Sequence, residues 1–128
     1  MNDCLFCERV TTSHFDFAND HAVAFPDKFP LSTGHTLVIP RVHEANLFAL
    51  DAIDRAAVWH LVDTVQLHLA RTLAPAGFNI GVNVGPAAGQ TISHAHVHII
   101  PRTLGDVTDP RGGVRWVIPS NAPYWDQR

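Results

Sequence analysis

The sequence predicts an α+β fold, in which a five-stranded antiparallel sheet carries one long helix on one face. Strand-like segments and helix-like segments are segregated along the chain rather than strictly alternating, which favours an antiparallel sheet. The chain has 128 residues, of which 46% are hydrophobic and 16% are charged. This composition suits one compact domain that spans residues 1–128.

The first three strands are predicted from alternation and turn residues. Residues 14–18 and 21–25 both show an alternating pattern of side chains, and Asn19-Asp20 between them is typical of a tight hairpin turn. Residues 36–39 form a run rich in β-branched side chains that Pro40 closes, and this run is the third strand. A short turn near residues 44–49 follows.

The one long helix is predicted over residues 52–73. Asp51 is a suitable N-cap, and Pro75 and Gly77 end the pattern. Apolar residues recur along this segment at the spacing of one helix face: Val58, Val62, Val65, Leu69 and Leu73.

Two further strands are predicted at residues 78–84 and 93–102, joined by a loop at 85–92 that contains glycine and proline. Residues 103–128 form an irregular tail, in which only residues 114–118 have the character to pair or pack. A sheet of this size has open edges. Pairing of one edge across a two-fold axis covers it, so we expect a homodimer.

The predicted fifth strand carries three alternating histidines. His94, His96 and His98 share one face of this strand, about 6.5 Å apart, while the intervening apolar residues face the core. Repulsion between neighbouring rings is expected to lower their pKa values and to keep at least one ring neutral.

Two kinds of chemistry fit these histidines. A neutral imidazole, with His96 as the candidate, attacks phosphorus as a nucleophile. Alternatively, two histidines spaced two residues apart chelate a catalytic metal with a third ligand. The loop at 85–91 favours the first reading, since its backbone N–H groups can hold an anion beside His96. Three partly buried histidines without a function are the less favoured alternative, because polar groups this concentrated usually mark a site.

Charge and hydropathy exclude several partners. The net charge of −3 provides no basic field for long nucleic acid. No apolar run is long enough to span a bilayer and the first residues do not resemble a signal peptide, so we expect no membrane association and a cytoplasmic location. Cys4 and Cys7 are then expected to be reduced thiols or metal ligands rather than a disulfide.

Residues 77–102 resemble the signature of the histidine triad (HIT) superfamily of nucleotide hydrolases and transferases. Two upstream segments, residues 24–27 and 34–43, resemble the first half of that family, so the resemblance covers roughly residues 4–102. It implies a small nucleotide as the substrate and no catalytic metal.

The resemblance also implies roles for individual residues. His96 attacks the α-phosphorus to form a covalent nucleotidyl-histidine, and His98 hydrogen-bonds the phosphate or the bridging oxygen. His35 supports the catalytic ring, and Asp27 binds ribose hydroxyls. The phosphate-binding residues are Asn83, Gly89, Gln90 and Thr91, and the apolar residues that line the base pocket are Leu5, Phe6 and Phe25. For these apolar residues, ordinary core packing remains an equal alternative.

The two cysteines match a subset of the family that binds structural zinc. In that subset, two histidines complete the site, and here they correspond to His43 and His94 beside Cys4 and Cys7. The alternative is a pair of reduced thiols without metal.

The leading functional prediction is hydrolysis of a dinucleoside polyphosphate, such as diadenosine tri- or tetraphosphate. A nucleoside phosphoramidase is the second candidate, and a nucleotide-binding interaction module with little turnover is the third. Residues 8–13 form a short connection without the expected glycine and proline, so the base preference stays open.

Overall fold

The computed structural model of the protein describes residues 3–127 and confirms the predicted fold class. Its five strands form one antiparallel sheet in the order β1-β2-β3-β5-β4. The elements are α1 Leu5–Thr12, β1 Phe17–Ala18, β2 Ala22–Pro26, β3 Thr36–Pro40, α2 Ala52–Leu73, β4 Gly77–Val82 and β5 Val97–Arg102. None of the described helices is both long and apolar enough to cross a membrane.

Helix α2 has the predicted bounds and covers one face of the sheet. The Asp51 carboxylate accepts a hydrogen bond from the Asp54 N–H at 2.8 Å, which caps the first turn. Its buried residues are Val58, Leu61, Val62, Val65 and Leu69. They pack with Val38, Val97 and Ile99 of the sheet in the larger of two hydrophobic clusters.

The opposite face of the sheet is covered by α1, a helix that the sequence analysis treated as a short connection. Its Phe6 is buried against Phe25, Leu37 and Ile39 in the second hydrophobic cluster. The Cys4 side chain accepts the Cys7 N–H at 3.5 Å, so it caps the helix. Both faces of the sheet are therefore buried near its centre, which explains why β2 and β3 are nearly continuous apolar runs.

Strand β5 begins at Val97, so the prediction that the strand starts at residue 93 is wrong. His94 and His96 precede the ladder, although His98 lies within it, opposite Leu37. The cause lies in Pro40, which has no N–H to continue the pairing. Instead, the Ala95 N–H donates to the carbonyl of Glu44 at 2.6 Å.

The tail beyond β5 has no strand in the part that the structure describes. Its first residues are tied to the sheet, because the Arg102 guanidinium donates to both carboxylate oxygens of Asp106 at 2.7 Å. Residues Gly113–Val117 form a short 3-10 turn rather than a strand, and its valines are exposed while the Trp116 ring packs edge-on against Trp125. Strand β4 is an open edge of the sheet, and the homodimer stays a prediction.

Replacing Gly34 with alanine is expected to lower the free energy of unfolding by about 2 kcal/mol. Gly34 has φ +91°, and a Cβ there comes 2.6 Å from Cδ1 of Leu73, at the end of α2. Urea denaturation measures the change. Gly81→Ala is the matched control, because a Cβ at that position meets no atom within 4 Å. Equal stability of the two variants would contradict the expectation.

Candidate functional site

A cavity of about 640 Å³ opens on the α1 face of the sheet. This volume is that of a small-molecule site. Most of the residues that the sequence analysis selected for catalysis or substrate binding line it: Leu5, Phe6, Phe25, Asp27, His35, Asn83, Gly89, Thr91, His96 and His98. The cavity thus has an apolar end formed by aromatic and aliphatic side chains and a polar end formed by histidines.

The hydrogen bonds of His96 determine which of its ring nitrogens is free. Its Nδ1 lies 2.8 Å from the carbonyl oxygen of His94. A carbonyl can only accept, so Nδ1 carries the proton, and a neutral ring then has its lone pair on Nε2. The side chain is 7% exposed, and its ring packs edge-on against Phe6. His96 is therefore held in the tautomer that a nucleophile at Nε2 requires.

A second chain of hydrogen bonds determines the tautomer of His98. The Leu31 N–H donates to Nδ1 of His35 at 3.0 Å, so the neutral His35 ring carries its proton on Nε2. That Nε2 lies 3.0 Å from Nδ1 of His98 and donates to it. A neutral His98 consequently carries its proton on Nε2, where it is a hydrogen-bond donor. The rings of His98 and His96 are 5.1 Å apart.

Asp27 lies beside this histidine pair at the end of β2. Its Oδ2 is 3.4 Å from Nε2 of His35 and 4.0 Å from Nδ1 of His98. Its other oxygen accepts the Phe29 N–H at 2.9 Å, which fixes the carboxylate at the rim of the cavity. The carboxylate is thus available both to the histidines and to a ligand in the cavity.

Burial lowers the pKa values of both His35 and His98 from the ordinary 6.5. For His98, the neighbouring rings of His96 and His35 lower the pKa further, while Asp27 raises it. Repulsion between rings, which the sequence predicts as the cause, is the smaller effect at His98, and loss of solvation is the larger one. Both rings are consequently neutral at neutral pH.

These lowered pKa values predict that the protein loses stability in mild acid. Below 6.5 the unfolded chain binds protons at these two positions before the folded chain does, so the free energy of unfolding falls as the pH decreases below that value. Urea denaturation between about pH 7.5 and pH 5.5 measures the effect. The decline should be smaller in His35→Gln, and an equal decline in both proteins would contradict the assignment.

The loop before the histidines is organised by Gln90. The Gln90 side-chain oxygen accepts the Gly85 N–H at 2.9 Å, and its amide nitrogen donates to the carbonyls of Ala45 and Ile92. Gln90 does not line the cavity, and its amide is occupied by the backbone. The N–H groups of Ala88, Gly89 and Gln90 also donate within the loop. The groups of this region that face the cavity are therefore Asn83, Gly89 and Thr91.

A second cluster of side chains, Cys4, Cys7, His43 and His94, can hold a metal ion. The two sulfurs lie 3.6 and 3.4 Å from Nδ1 of His94, and Cys7 Sγ lies 3.2 Å from Nδ1 of His43. Tetrahedral zinc with ordinary bond lengths separates sulfur and nitrogen ligands by about 3.6 Å. The fully buried His94 donates its Nε2–H to the Pro40 carbonyl at 2.8 Å, which leaves the Nδ1 lone pair facing the sulfurs.

Asp27, His35 and His98 form another group of potential metal ligands, but their hydrogen bonds are of a different kind. The Leu31 N–H occupies Nδ1 of His35, so Nε2 of that ring holds a proton instead of a lone pair. A metal needs that lone pair. This second group is consequently suited to hydrogen bonding in the cavity, and the Cys2His2 group is suited to metal.

Helix α1 brings three cavity residues that the sequence analysis did not select: Glu8, Arg9 and Thr12. Leu5, Arg9 and Thr12 are spaced four and three residues apart, which puts them on one face of a helix. This spacing was the available signal, and it was missed because the segment was treated as a connection.

The fold and the cavity together define a class: small α+β proteins with a histidine-lined cavity of nucleotide size on one face of an antiparallel sheet. The chain belongs to the HIT domain family, whose family model matches residues 8–104. This is the histidine triad superfamily of nucleotide-binding hydrolases and transferases.

Three relatives illustrate the range of the family. An uncharacterized HIT-like protein of Mycoplasma genitalium is 41% identical over 104 residues, which are 79% of this chain and 74% of that protein. An adenylylsulfatase of Arabidopsis thaliana is 36% identical over 83% of this chain and 55% of its own length. The crystal structure of a zinc-bound histidine triad family protein of Mycobacterium smegmatis superimposes with a TM-score of 0.74 at 26% identity, and 98% of each chain is covered.

Proposed function

We propose that the protein is a nucleotide hydrolase that cleaves at the α-phosphate of a dinucleoside polyphosphate through a covalent nucleotidyl-histidine. The observation that supports this proposal best is the hydrogen bond from Nδ1 of His96 to the His94 carbonyl, because it leaves Nε2 as a nucleophile. His98 beside it has the opposite arrangement and offers a proton on Nε2. The pair thus combines a nucleophile with a hydrogen-bond donor.

In the first step, the Nε2 lone pair of His96 attacks the α-phosphorus, and a nitrogen–phosphorus bond forms. The bond between phosphorus and the bridging oxygen breaks, and its electron pair stays with the leaving phosphate. The proton on Nε2 of His98 stabilises the charge that develops on that oxygen. Asn83 and Thr91 at the polar end of the cavity contact the non-bridging oxygens.

In the second step, water attacks the phosphorus of the nucleotidyl-histidine, and the nitrogen–phosphorus bond breaks. One proton of the water passes to solvent, and the electron pair of the broken bond returns to Nε2 of the His96 ring. A nucleoside monophosphate leaves. Splitting the reaction lowers both barriers, and neither step needs a metal.

A panel of substrates tests this proposal against the other candidates. Diadenosine tri- and tetraphosphate, an adenosine phosphoramidate and adenylyl sulfate share the adenylyl group and differ only in the leaving group. The proposal expects the highest kcat/KM with a dinucleoside polyphosphate. Faster cleavage of the phosphoramidate would favour the phosphoramidase, and tight nucleotide binding with negligible turnover of every substrate would favour the interaction module.

We further propose that Cys4, Cys7, His43 and His94 hold a structural zinc ion. The free lone pair of His94 Nδ1 and the distances between sulfur and nitrogen atoms support it. Zinc there ties the start of α1 to the residue whose carbonyl holds His96, so it positions the nucleophile from outside the cavity. Metal analysis of protein purified without chelators is expected to find one zinc ion per chain.

A further inference from the structure

The apolar end of the cavity contains an arginine with an unused hydrogen-bond donor. Arg9 of α1 lines the cavity with Leu5, Phe6 and Phe25. Among residues 3–127, its Nε is the buried side-chain nitrogen that has no hydrogen-bond partner. This nitrogen is too buried to meet a ligand, but no hydrogen bond within residues 3–127 engages the two terminal guanidinium nitrogens either, so they remain donors for a ligand that brings acceptors.

Arg9 is held in place by stacking, and no ion pair within residues 3–127 involves it. Its guanidinium carbon lies 4.2 Å from the centre of the Phe25 ring. Stacking of this kind fixes a guanidinium while its N–H groups, which lie in the guanidinium plane, remain available for other partners. The arginine is thus positioned before any ligand arrives.

The position of Arg9 relative to His96 indicates which part of a nucleotide it meets. The Phe6 ring lies 5.2 Å from the His96 ring and 5.5 Å from the Phe25 ring, on which Arg9 stacks. Because Arg9 stacks on Phe25, an aromatic ring of the apolar end, we infer that its guanidinium lies nearer to the base than to the nucleophile. With the α-phosphate at His96, the guanidinium faces the base rather than the phosphates.

We propose that Arg9 reads the edge of the base and makes the cavity selective for 6-oxopurines, guanine or hypoxanthine, over adenine. This inference rests on the proposed binding of a nucleotide in the cavity. Arginine offers only donors, and a 6-oxopurine presents two neighbouring acceptors, O6 and N7. Adenine presents the N7 acceptor beside an amino group, which is itself a donor and opposes the guanidinium.

Equilibrium binding of nucleoside monophosphates to the whole protein tests the inference without requiring turnover. GMP and IMP are each expected to bind about tenfold more tightly than AMP, because one bidentate arginine contact discriminates by roughly 5- to 150-fold. A 7-deaza analogue of GMP, which lacks the N7 acceptor, should bind more weakly than GMP. Equal affinities for GMP and AMP, or an affinity for IMP no better than that for AMP, would overturn the inference.

Substitutions of Arg9 separate hydrogen bonding from charge. Arg9→Met retains an unbranched side chain over Phe25 and removes the donors, so the ratio of GMP affinity to AMP affinity should fall to about one. Arg9→Lys keeps the charge without the planar fork, and the ratio should fall there also. Arg71→Met, at the exposed end of α2, is the control and should keep the wild-type ratio. An unchanged ratio in Arg9→Met would overturn the inference, provided that circular dichroism shows a folded protein.

Failure of the proposed hydrolase function is distinguishable from failure of this inference. Selective binding of GMP and IMP with no turnover of any nucleotide substrate would contradict the proposed hydrolase function and support the role of Arg9. Turnover of adenine and guanine substrates with equal kcat/KM, together with equal affinities for AMP and GMP, would support the hydrolase function and contradict the proposed role of Arg9.

Discussion

His96→Asn is expected to lower kcat by on the order of 10³-fold or more and to abolish the covalent intermediate. Asparagine retains a polar side chain of smaller size but has no basic lone pair to attack phosphorus. Mass spectrometry of protein quenched during turnover in a denaturant free of acid measures the intermediate directly. The wild-type chain should gain the mass of one nucleotidyl group, and the variant should not.

His60→Asn is a matched control, because His60 is exposed on α2 and does not line the cavity. It should form the adduct at the wild-type level. If product forms rapidly in the wild-type protein and no adduct appears under rapid quench, direct attack by water would replace the covalent mechanism. An adduct in His96→Asn would place the nucleophile on another residue.

Cys7→Ser is expected to remove the zinc ion and to lower the free energy of unfolding by about 3 kcal/mol or more. Cys7 contributes a sulfur that lies near both His43 and His94, so its loss leaves an incomplete set of ligands. Metal analysis and urea denaturation measure the two effects. Chelation of the wild-type protein should give the same loss of stability, whereas a chelator should change the variant little.

The same experiment separates a structural metal from a catalytic metal. Loss of the proposed zinc ion should lower kcat by only about tenfold, because a metal at this site would act on His96 only through the backbone of His94. Complete loss of turnover on chelation, with the fold intact, would assign the metal to catalysis. If the wild-type protein contains no zinc and the Cys7→Ser variant is as stable as the wild type, the proposed zinc site is wrong.

The long elements of the fold could be predicted from the sequence because their patterns are local. Helix α2 repeats its apolar spacing over six turns between a capping aspartate and a proline, and its bounds were predicted to the residue. Helix α1 has only eight residues and depends on the packing of Phe6 against Phe25, a contact between distant segments. The start of β5 depends on Pro40, which lies in another strand. The local spacing of Leu5, Arg9 and Thr12 was compatible with α1 but too short to require it, and no local pattern indicated the start of β5.

The residues of the candidate site also fall into two groups: those that a local sequence pattern predicts and those whose positions depend on contacts between distant segments. The alternation of His96 and His98 placed their rings together, and the structure has them 5.1 Å apart. The places of Asp27 and His35 beside them came from the family resemblance, since nothing in the spacing of these residues joins them to β5. The engagement of the Gln90 amide and the position of Arg9 required the folded structure, because both depend on contacts with other segments.

The order of strands in the sheet has a consequence for folding kinetics. Strands β3 and β5 are neighbours, with Leu37 opposite His98, although the whole of α2 and β4 lies between them in the chain. Pairing of such distant segments requires closure of a long loop, which slows folding relative to local contacts. Residues that precede this loop in the chain and residues that follow it both line the cavity, so neither half of the chain contains the whole cavity. A nucleotide that binds there therefore stabilises the entire domain against global unfolding rather than a single loop.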